Sequence, residues 1–543
     1  MRTGCADPRP RDDSDTVRSM SDPSAPGAVR RRAATPVAVA APNDLACQAA
    51  VDIAAAGGNA VDAGLAAAVV TMVSEPGLAS LGGAAYVTIG AGAGGPAVTV
   101  DGGVEMPGRG VDPARLGGGL RHVSTAYAGG VDMVVGHGSV ATPGALRALE
   151  VAHRRSGSLS WADVLAPAVD VSRRGFPHGQ ASHHYLSYVH EDVFGWHPDS
   201  WAALHDDRGR LYGVGETIVV PDLADSLEAI AREGADAFYT GDLAAAIVAE
   251  MESGGGIVTA RDLADYRAVV RPALSVRLAD WTVSTNPAPA VGGVALVALL
   301  TLLGDRPGAG GWREQDRLAL VAAQHAVLGH RARVLDVAPD RRLAAERLMG
   351  TLNRGELSRI TSPSTAHVSV VGADGTACAV TCSSGYNSGM VVPGTGISFN
   401  NWLGEPELTP HGTHGEPVGT RLLTAMAPTV ARRDDGAALA VGSPGSDRIP
   451  TAIAQTLLGY VNAGASLVSS VAEPRAHVRI RGGDQVDHEA DWPVPSGLDL
   501  PVRAMPPHSM YFGGVGIAVW IPARGLDAAG DPRRTGATAL SRE

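Results

Sequence analysis

The sequence predicts an α+β protein in which helical layers enclose a core of β-strands. Three observations predict this class. The 543-residue chain is 45% apolar but only 4% aromatic and contains 69 glycines, so small aliphatic side chains and many tight turns must build its core. Helical periodicity dominates the first 300 residues, and strand-like segments dominate from residue 364. No Pro/Ser-rich linker separates the two parts, which favours one intertwined αββα-like unit over two independent domains.

The N-terminal part of the chain predicts a leader, a strand and a helical hairpin. Residues 1–33 are rich in Arg, Asp, Ser and Pro and lack apolar periodicity, so we expect a disordered leader. The segment AATPVAVAAP predicts a first strand. Asn43 is a suitable cap for a helix that stops at Gly57-Gly58, and a second apolar helix begins directly afterwards.

The next segments, AYVTIG and PAVTV, predict two strands. The glycines between them match G-x-G-x-x-G at Gly90, Gly92 and Gly95. A dinucleotide site needs this pattern between a strand and a helix, whereas here a second strand follows, so we expect a hairpin loop. Residues 145–300 then alternate helical runs with Pro and Gly stops and predict a helical layer.

The second half of the chain predicts a sheet. TAHVSVVG and TACAVTCSS are separated by Asp374-Gly375, which is the composition of a tight hairpin. The segments ALAVG and VGIAVWIP predict two further strands.

The net charge of −12 gives no electrostatic attraction to nucleic acid or to an anionic membrane, so a small-molecule substrate is the expected partner. No run of about 18 apolar residues occurs, so we expect no transmembrane helix. The Ala-rich segment after Arg30-Arg31-Arg32 is short and is interrupted by prolines, unlike an export signal. We therefore expect a cytoplasmic protein.

The sequence predicts neither a metal site nor a cofactor. Its cysteines include no C-x-x-C pair and are expected to be core residues. His411, His414 and Glu416 lie close together, but in a loop-like segment that does not set the directions of three ligands. A serine triad is also poorly supported, because the nearest approach to G-x-S-x-G has Val441 at its first position.

The segment Ser-Thr-Ala-His-Val-Ser-Val at 364–370 is the strongest candidate for chemistry, although most threonines in strands are structural. A threonine that cleavage makes N-terminal carries both a nucleophile and a base, its hydroxyl and its α-amine. The α-amine has an ordinary pKa near 8, close enough to neutrality to accept the hydroxyl proton.

This segment, the later GISFNN, LLTAMAPTV and VGSPGSDRI, and the upstream AAGGNAVDA, GADAFYTGDLAAAI and IVTARDLADYRAVVRPAL together resemble the gamma-glutamyltranspeptidase family over residues 37–539. The resemblance implies an N-terminal-nucleophile hydrolase with an αββα sandwich. It implies a precursor that cleaves itself between Ser364 and Thr365. A large subunit, residues 34–364 after the leader, and a small subunit, residues 365–543, would then stay associated and share the sandwich.

The resemblance also implies roles for individual residues. Thr365 would be the nucleophile, and Ser383 would contact its amine. The backbone N–H groups of Gly445 and Ser446 would form the oxyanion hole. No cofactor is implied.

Several positions depart from the family pattern. Val104 stands beside Glu105 where the family clamps a substrate carboxylate with an arginine, and Ala425 follows Thr424 where the family has two serines. Of the family's amine-binding side chains, only Glu405 keeps an acid. The implied substrate-binding positions are Val104, Glu105, Trp402, Glu405, Thr424 and Ala425.

Three functions remain open from the sequence. The first is a hydrolase or acyltransferase that forms an acyl-enzyme on a substrate other than glutathione. The second is an amide or C–C bond hydrolase in natural-product biosynthesis, such as that of antibiotics, which the Ala-, Gly- and Arg-rich composition also fits. The third is an unprocessed binding or scaffold protein. The cleavage state separates the third from the others.

Overall fold

Two antiparallel β-sheets lie face to face in the computed structural model, with helices on the outer side of each sheet. The αββα architecture expected from the sequence is therefore confirmed. The described residues from Thr35 onward form one compact unit, and the expected leader lies outside the described residues. The structure describes residues 35–92, 94–127, 130–352, 365–480 and 482–541.

Short turns and 3-10 segments connect the strands and helices of this part of the chain. The strands are β1 (Val37–Ala41), β2 (Ala84–Gly90), β3 (Val98–Gly102), β4 (Arg121–Thr125), β5 (Val131–Val135), β6 (Phe176–Pro177), β7 (Thr217–Ile218), β8 (Val269–Pro272), β9 (Leu274–Leu278), β10 (Trp281–Thr285), β11 (Ala366–Gly372), β12 (Ala377–Ser383), β13 (Val391–Val392), β14 (Ile397–Ser398), β15 (Thr429–Arg433), β16 (Ala438–Gly442), β17 (Ala476–Arg479), β18 (Gln485–Glu489), β19 (Val502–Met505), β20 (Gly516–Ile521), β21 (Gly525–Gly530) and β22 (Ala537–Leu540). The α-helices are α1 (Asp44–Ala55), α2 (Ala60–Ser74), α3 (Ala145–Ser156), α4 (Trp161–Arg174), α5 (Gln180–Phe194), α6 (Pro198–Leu204), α7 (Leu223–Glu233), α8 (Asp236–Tyr239), α9 (Asp242–Ser253), α10 (Ala260–Asp265), α11 (Val291–Leu303), α12 (Glu314–His330), α13 (Arg341–Leu352), α14 (Arg448–Val461) and α15 (Leu467–Ala472).

The first sheet has the strand order β22-β1-β11-β12-β2-β3-β8, and the second sheet has the order β21-β20-β16-β15-β10-β9. Each sheet thus combines strands from before and after residue 364. The sequence suggested that the second half supplies the sheet core, and the structure corrects this, because β1, β2, β3 and β8 flank β11 and β12 in the first sheet. Such pairing joins distant parts of the chain and leaves no local signal in the sequence.

Helices α1 and α2 cover the outer face of the first sheet and form the expected hairpin. The side chain of Asn43 caps α1 by accepting from the N–H of Ala46. Asn59 and Asp62 form a capping box at the start of α2, whose fifteen residues are all buried. On the other side, α11 and α14 pack against the second sheet, so both sheets are buried on both faces.

The core between the two sheets is made of very small side chains. The strands β1 and β11 of the first sheet face β16 and β20 of the second. Small side chains allow the two backbones to approach closely. The buried members of this cluster are Ala38, Val371, Ala377, Ala379, Val430, Ala438, Ala440 and Ala518.

Several local predictions are confirmed. The G-x-G-x-x-G pattern lies in the connection of the antiparallel hairpin β2–β3, and the turn of the hairpin β11–β12 contains Gly375 with φ of 78°. Cys47, Cys378 and Cys382 are buried and unbridged. Among the described helices, none is long and apolar enough to cross a bilayer. The cytoplasmic location stays a prediction.

Candidate active site

Thr365 lies immediately before β11, one of the central strands of the first sheet, and is only 2% exposed. In the register of β11 and β12, Ala366 is paired with Cys382. Thr365 and Ser383 are therefore level with each other on neighbouring strands. The Oγ atom of Ser383 accepts a hydrogen bond of 3.0 Å from the N–H of Gly385. Ser364, the other side of the expected cleavage site, lies outside the described residues.

The turn at residues 443–446 follows β16 of the second sheet and leads into α14. Gly445 and Ser446 both have positive φ angles, 114° and 68°, so two consecutive peptide units are turned out of the usual direction. Neither of their N–H groups donates to a backbone carbonyl in the described residues. The next residue, Asp447, is buried and anchors the turn through an ion pair of 3.1 Å with Arg331. Two adjacent free N–H groups in a buried turn are suited to bind an oxyanion.

A cavity of about 30 Å³ brings Thr365 and this turn together, because both Thr365 and Pro444 line it. The two elements come from different sheets and meet at the same end of the sandwich. The cavity is also lined by His367, Glu75 and Arg534, which the sequence analysis did not single out.

His367 is buried between the sheets, and both nitrogens of its ring are engaged. Nε2 lies 2.8 Å from Ser369 Oγ, and Nδ1 lies 2.8 Å from Thr381 Oγ1. Because Ser369 donates its own proton to the carbonyl of Gly516, it must accept from Nε2–H, and Nδ1 then accepts from Thr381. Burial lowers the pKa of His367 to about 3, so the ring is neutral. His367 therefore ties the first sheet to the second and is not available as a base.

Glu75 and Arg534 are both buried and influence each other electrostatically, yet no ion pair joins them among the described residues. Burial raises the pKa of Glu75 to about 7. Burial also lowers the pKa of Arg534. The Oε1 atom of Glu75 accepts from Asn43, whereas its Oε2 atom has no partner in the described residues.

Val104 and Glu105 lie on an extended segment that pairs with Arg421 and its neighbours. Val104 is 1% exposed and packs in the core. A guanidinium does reach this region, but it belongs to Arg421, whose Nη1 donates to the carbonyl of Gly103 and lies 3.5 Å from Glu105. The sequence could not show this arginine, since it enters from a segment more than 300 residues away.

The remaining predicted binding residues are also buried. Trp402 is 2% exposed and donates its indole N–H to the carbonyl of Leu423 at 2.8 Å. Its neighbour in space, the segment with Thr424 and Ala425, packs on the first turn of α11. Glu405 accepts from the N–H of Tyr386 and lies against Gly385, two residues beyond Ser383. Burial raises the pKa of Glu405 well above its usual range.

The structure thus groups the predicted residues into two sets. Thr365 and Pro444 of the turn at 443–446 line the small cavity, and Ser383 lies level with Thr365 on the next strand. Val104, Glu105, Trp402, Thr424 and Ala425 form a second group in the core beside the second sheet. The substrate-binding roles of this second group stay predictions.

One group of side chains in the described residues could hold a metal ion, namely His137, His197 and Glu250. The contacts are those of a hydrogen-bonded cluster, because His137 Nε2 lies 2.6 Å from Glu250 Oε1. Two ligands of a tetrahedral zinc ion would be about 3.3 Å apart. His411 and His414 do not converge, since His411 contacts Glu416 while His414 bonds backbone groups.

Of the residues that line the small cavity, His367 shows a weak pattern in the sequence. His367 and Ser369 follow Thr365 at a spacing of two, so all three face the same side of β11. This alternation of polar residues in a buried strand could have been noticed. Arg534 stands beside Arg533 in the sequence, and only tertiary contacts distinguish the two.

Comparisons with known proteins agree with this geometry. The profile of the gamma-glutamyltranspeptidase family matches residues 46–541. The chain is 29% identical to a glutathione hydrolase proenzyme of Pseudomonas aeruginosa, over 92% of this chain and 93% of that one. It is 30% identical to the acylase ACY 1 proenzyme of Pseudomonas sp. strain SE83, over 79% and 80% of the two chains. Its fold matches that of the cephalosporin acylase from Bacillus halodurans with a TM-score of 0.78 and 23% identity, over 96% and 99% of the two chains. Since these matches span nearly the whole described chain, the protein belongs to the gamma-glutamyltranspeptidase family and is a hydrolase or acyltransferase.

Proposed function

We propose that this protein is an autoprocessing N-terminal threonine hydrolase or acyltransferase whose substrate is not glutathione. One observation carries the proposal. The buried Thr365, immediately before β11, shares a cavity with Pro444 of the turn at 443–446, where the N–H groups of Gly445 and Ser446 donate to no backbone carbonyl in the described residues. A hydroxyl nucleophile and oxyanion donors at one point are what acyl transfer requires.

In the proposed maturation, Oγ of Thr365 attacks the carbonyl carbon of Ser364. The peptide C–N bond breaks as the ester forms, and the nitrogen becomes the α-amine of Thr365. Water then hydrolyses the ester, which leaves a chain that ends at Ser364 and a chain that begins at Thr365. The N-terminal chain contains residues 34–364 with the leader, and the small subunit contains residues 365–543.

The freed α-amine is the proposed base in turnover. Its ordinary pKa near 8 allows it to accept the hydroxyl proton at neutral pH. The hydrogen bonds of His367 support this assignment, because both of its ring nitrogens are already occupied. Ser383, level with Thr365 on the next strand, would orient the amine.

The proposed acyl-enzyme forms when Thr365 Oγ attacks the substrate carbonyl and the leaving group takes the proton from the α-amine. The N–H groups of Gly445 and Ser446 would stabilise the oxyanion, each contributing about 3 kcal/mol to the transition state. Water or an acceptor amine then releases the acyl group. The choice between the two decides whether the enzyme is a hydrolase or a transferase.

Three observations on the predicted binding residues support a substrate other than a γ-glutamyl compound. Val104 offers no charge to an α-carboxylate, and the guanidinium of Arg421 is already engaged by protein groups. Burial also raises the pKa of Glu405 well above its usual range, which disfavours its charged form and weakens it as a partner for an α-ammonium group. A γ-glutamyl group would therefore lose favourable contacts at both its charges.

Denaturing mass spectrometry of the purified protein tests the proposal. We expect two polypeptides, the smaller beginning Thr-Ala-His-Val, and we expect Thr365→Ala to run as one inactive chain. Thr365→Ser is the matched control, since it keeps the hydroxyl and should still be cleaved. Intact wild-type protein with full activity would refute both the maturation and the mechanism.

A second experiment tests the supporting role of Ser383. If Ser383 orients the amine, Ser383→Ala should slow turnover or maturation about 10- to 1000-fold. Ser384→Ala is the matched control, because the neighbouring hydroxyl is also buried but has no hydrogen-bond partner in the described residues. We expect this control to change the rate less than threefold, roughly the effect of a group outside the reaction. Equal effects of the two changes would contradict the assigned role.

A further inference from the structure

A second, much larger cavity adjoins the cavity of Thr365. It has a volume of about 810 Å³ and is lined by parts of three segments, residues 180–188, 503–511 and 532–535. Ala181 and Arg534 line both cavities, so the side chain of Arg534 stands at their common wall. A molecule that fills the large cavity would contact Arg534, which also lines the cavity of Thr365.

Arg534 is 8% exposed, yet most of its donors are unused. Its Nε and Nη1 atoms have no hydrogen-bond partner in the described residues. Its Nη2 atom makes one long contact of 3.4 Å with the carbonyl of Met510. A buried cation with unpaired N–H groups is costly, so such groups usually bind a partner.

The preceding residue shows how a structural arginine is bonded in the same part of the fold. Arg533 donates to Glu489 at 2.9 Å, to Asp531 at 3.1 Å and to the carbonyl of Val471 at 2.9 Å. The difference between Arg533 and Arg534 cannot come from burial, since both are buried. It comes from the protein acceptors, which surround Arg533 only.

The acidic groups nearby do not neutralise Arg534. Asp531 is bonded to Arg475 at 2.7 Å, to Arg533 and to the N–H of Val515. Glu75 lines the small cavity but makes no ion pair with Arg534 among the described residues. Asp531 and Glu75 act on the pKa of Arg534 only from a distance, and neither forms an ion pair with it in the described residues.

The large cavity is lined by several arginines, of which Arg503 and Arg533 are paired with acidic residues behind the cavity wall. Arg448 and Arg503 line it with Arg534, and none of its described lining residues is Asp or Glu. The rings of Tyr127 and Tyr188 supply apolar surface. Such a cavity attracts an anion and offers no carboxylate to a substrate ammonium group.

We infer that Arg534 binds a carboxylate of the substrate in this large cavity while the scissile carbonyl reaches Thr365. The inference rests on the proposed function for the reaction, but the binding of the carboxylate does not depend on turnover. It assigns the substrate to a class, an acyl compound with a carboxylate and without a neighbouring ammonium group. The carboxylate belongs either to the acyl chain or to the leaving group.

Binding of three anilide probes, measured by calorimetry, tests the inference. Pentanoic anilide carries no carboxylate, glutaric monoanilide carries it on the acyl chain, and N-pentanoyl-4-aminobenzoate carries it on the leaving group. We expect wild-type protein to bind one carboxylate probe at least about 30-fold more tightly than the neutral anilide. Arg534→Met should reduce this preference to less than about threefold.

Two further variants serve as controls for the charge of Arg534 and for the loss of any cation. Arg534→Lys keeps the charge without the guanidinium and should retain about a tenfold preference. Arg277→Met removes a cation of β9 that pairs with the exposed Asp434, and it should leave the preference unchanged. A preference that survives in Arg534→Met, or none in the wild type, would overturn the inference.

Turnover of the same probes separates this inference from the proposed function. Carboxylate-dependent binding without hydrolysis would refute the threonine mechanism and leave the Arg534 site standing. Hydrolysis of all three probes at equal rates and with equal affinities would do the reverse.

Discussion

Arg421 and Arg534 are both buried arginines, but their hydrogen-bond partners differ. Arg421 donates to the hydroxyl of Tyr266 at 2.6 Å and lies 3.4 Å from Asp101 and 3.5 Å from Glu105. Arg534 has a single long contact. Burial lowers the pKa of both, but Tyr266 and Asp101 outweigh this effect and raise the pKa of Arg421. The comparison teaches that the bonding of a buried cation, and not its burial, indicates whether it holds the fold or awaits a ligand.

The first expected effect is on stability. Arg421→Met would remove one of two arginines from Asp101, which keeps Arg271, and from Glu105, which keeps Arg109. We expect a loss of about 1 to 3 kcal/mol. Arg534→Met removes an unpaired buried charge and should leave stability unchanged or raise it. Melting temperatures of the two variants, measured side by side, test this difference. Equal destabilisation would remove the basis of the comparison.

The next effect concerns substrate recognition. Because Arg421 is committed to protein groups, a γ-glutamyl anilide should be a poor substrate. We expect its specificity constant to lie about 30-fold to several thousand-fold below that of an authentic transpeptidase assayed alongside. Fully processed protein must be used. A value within about tenfold of the control would mean that Arg421 or another residue binds the α-carboxylate after all.

The third effect is a dependence of stability on pH. The pKa of Glu75 is raised from its ordinary value of 4.5 to about 7 by burial. The folded protein therefore holds a proton that the unfolded chain releases in this window, and Glu75 lowers stability as the pH rises from 4.5 to about 7. Glu75→Gln removes this loss, so the variant should gain about 2 to 3 kcal/mol relative to wild type between about pH 5 and pH 8.

The pH dependence of the Glu75→Gln variant also tests whether Arg534 differs from Arg421 in having no ion pair. A Glu75 carboxylate that is ionised beside Arg534 would make that arginine a paired residue, as Arg421 is. The difference in melting temperature between Glu75→Gln and wild type would then be the same at about pH 5 and at about pH 8. His367 has the opposite dependence, since its lowered pKa makes it destabilising as the pH falls below 6.5. It is present in both proteins, so its contribution cancels in the difference.

Local features of the fold were predictable because short segments of sequence encode them. Asn43 and Gly57 mark the ends of α1, and Asp374-Gly375 marks the turn between β11 and β12. The order of strands in the sheets was not predictable, since β12 pairs with β2 across almost 300 residues. No local pattern records such a pairing.

The candidate site divides in the same way. Thr365 and the turn at 443–446 could be found because each lies in a distinctive segment. The engagement of Arg421 and the unpaired donors of Arg534 depend on groups that are brought together only by folding. The sequence shows no arginine beside Glu105, but only the folded structure shows that the guanidinium of Arg421 lies 3.5 Å from Glu105.

The alanine-rich core between the sheets has a consequence for the reaction. Thr365 immediately precedes a strand of one sheet, and the turn at 443–446 follows a strand of the other. The thickness of the core between the two sheets therefore sets the distance between the nucleophile and the oxyanion donors. Catalytic geometry tolerates displacements of only about 0.5 Å. One larger residue, such as leucine in place of Ala379, would separate the nucleophile from the oxyanion donors while the protein still folds. Side-chain size at positions that never touch the substrate is therefore constrained by the rate of the reaction as well as by packing.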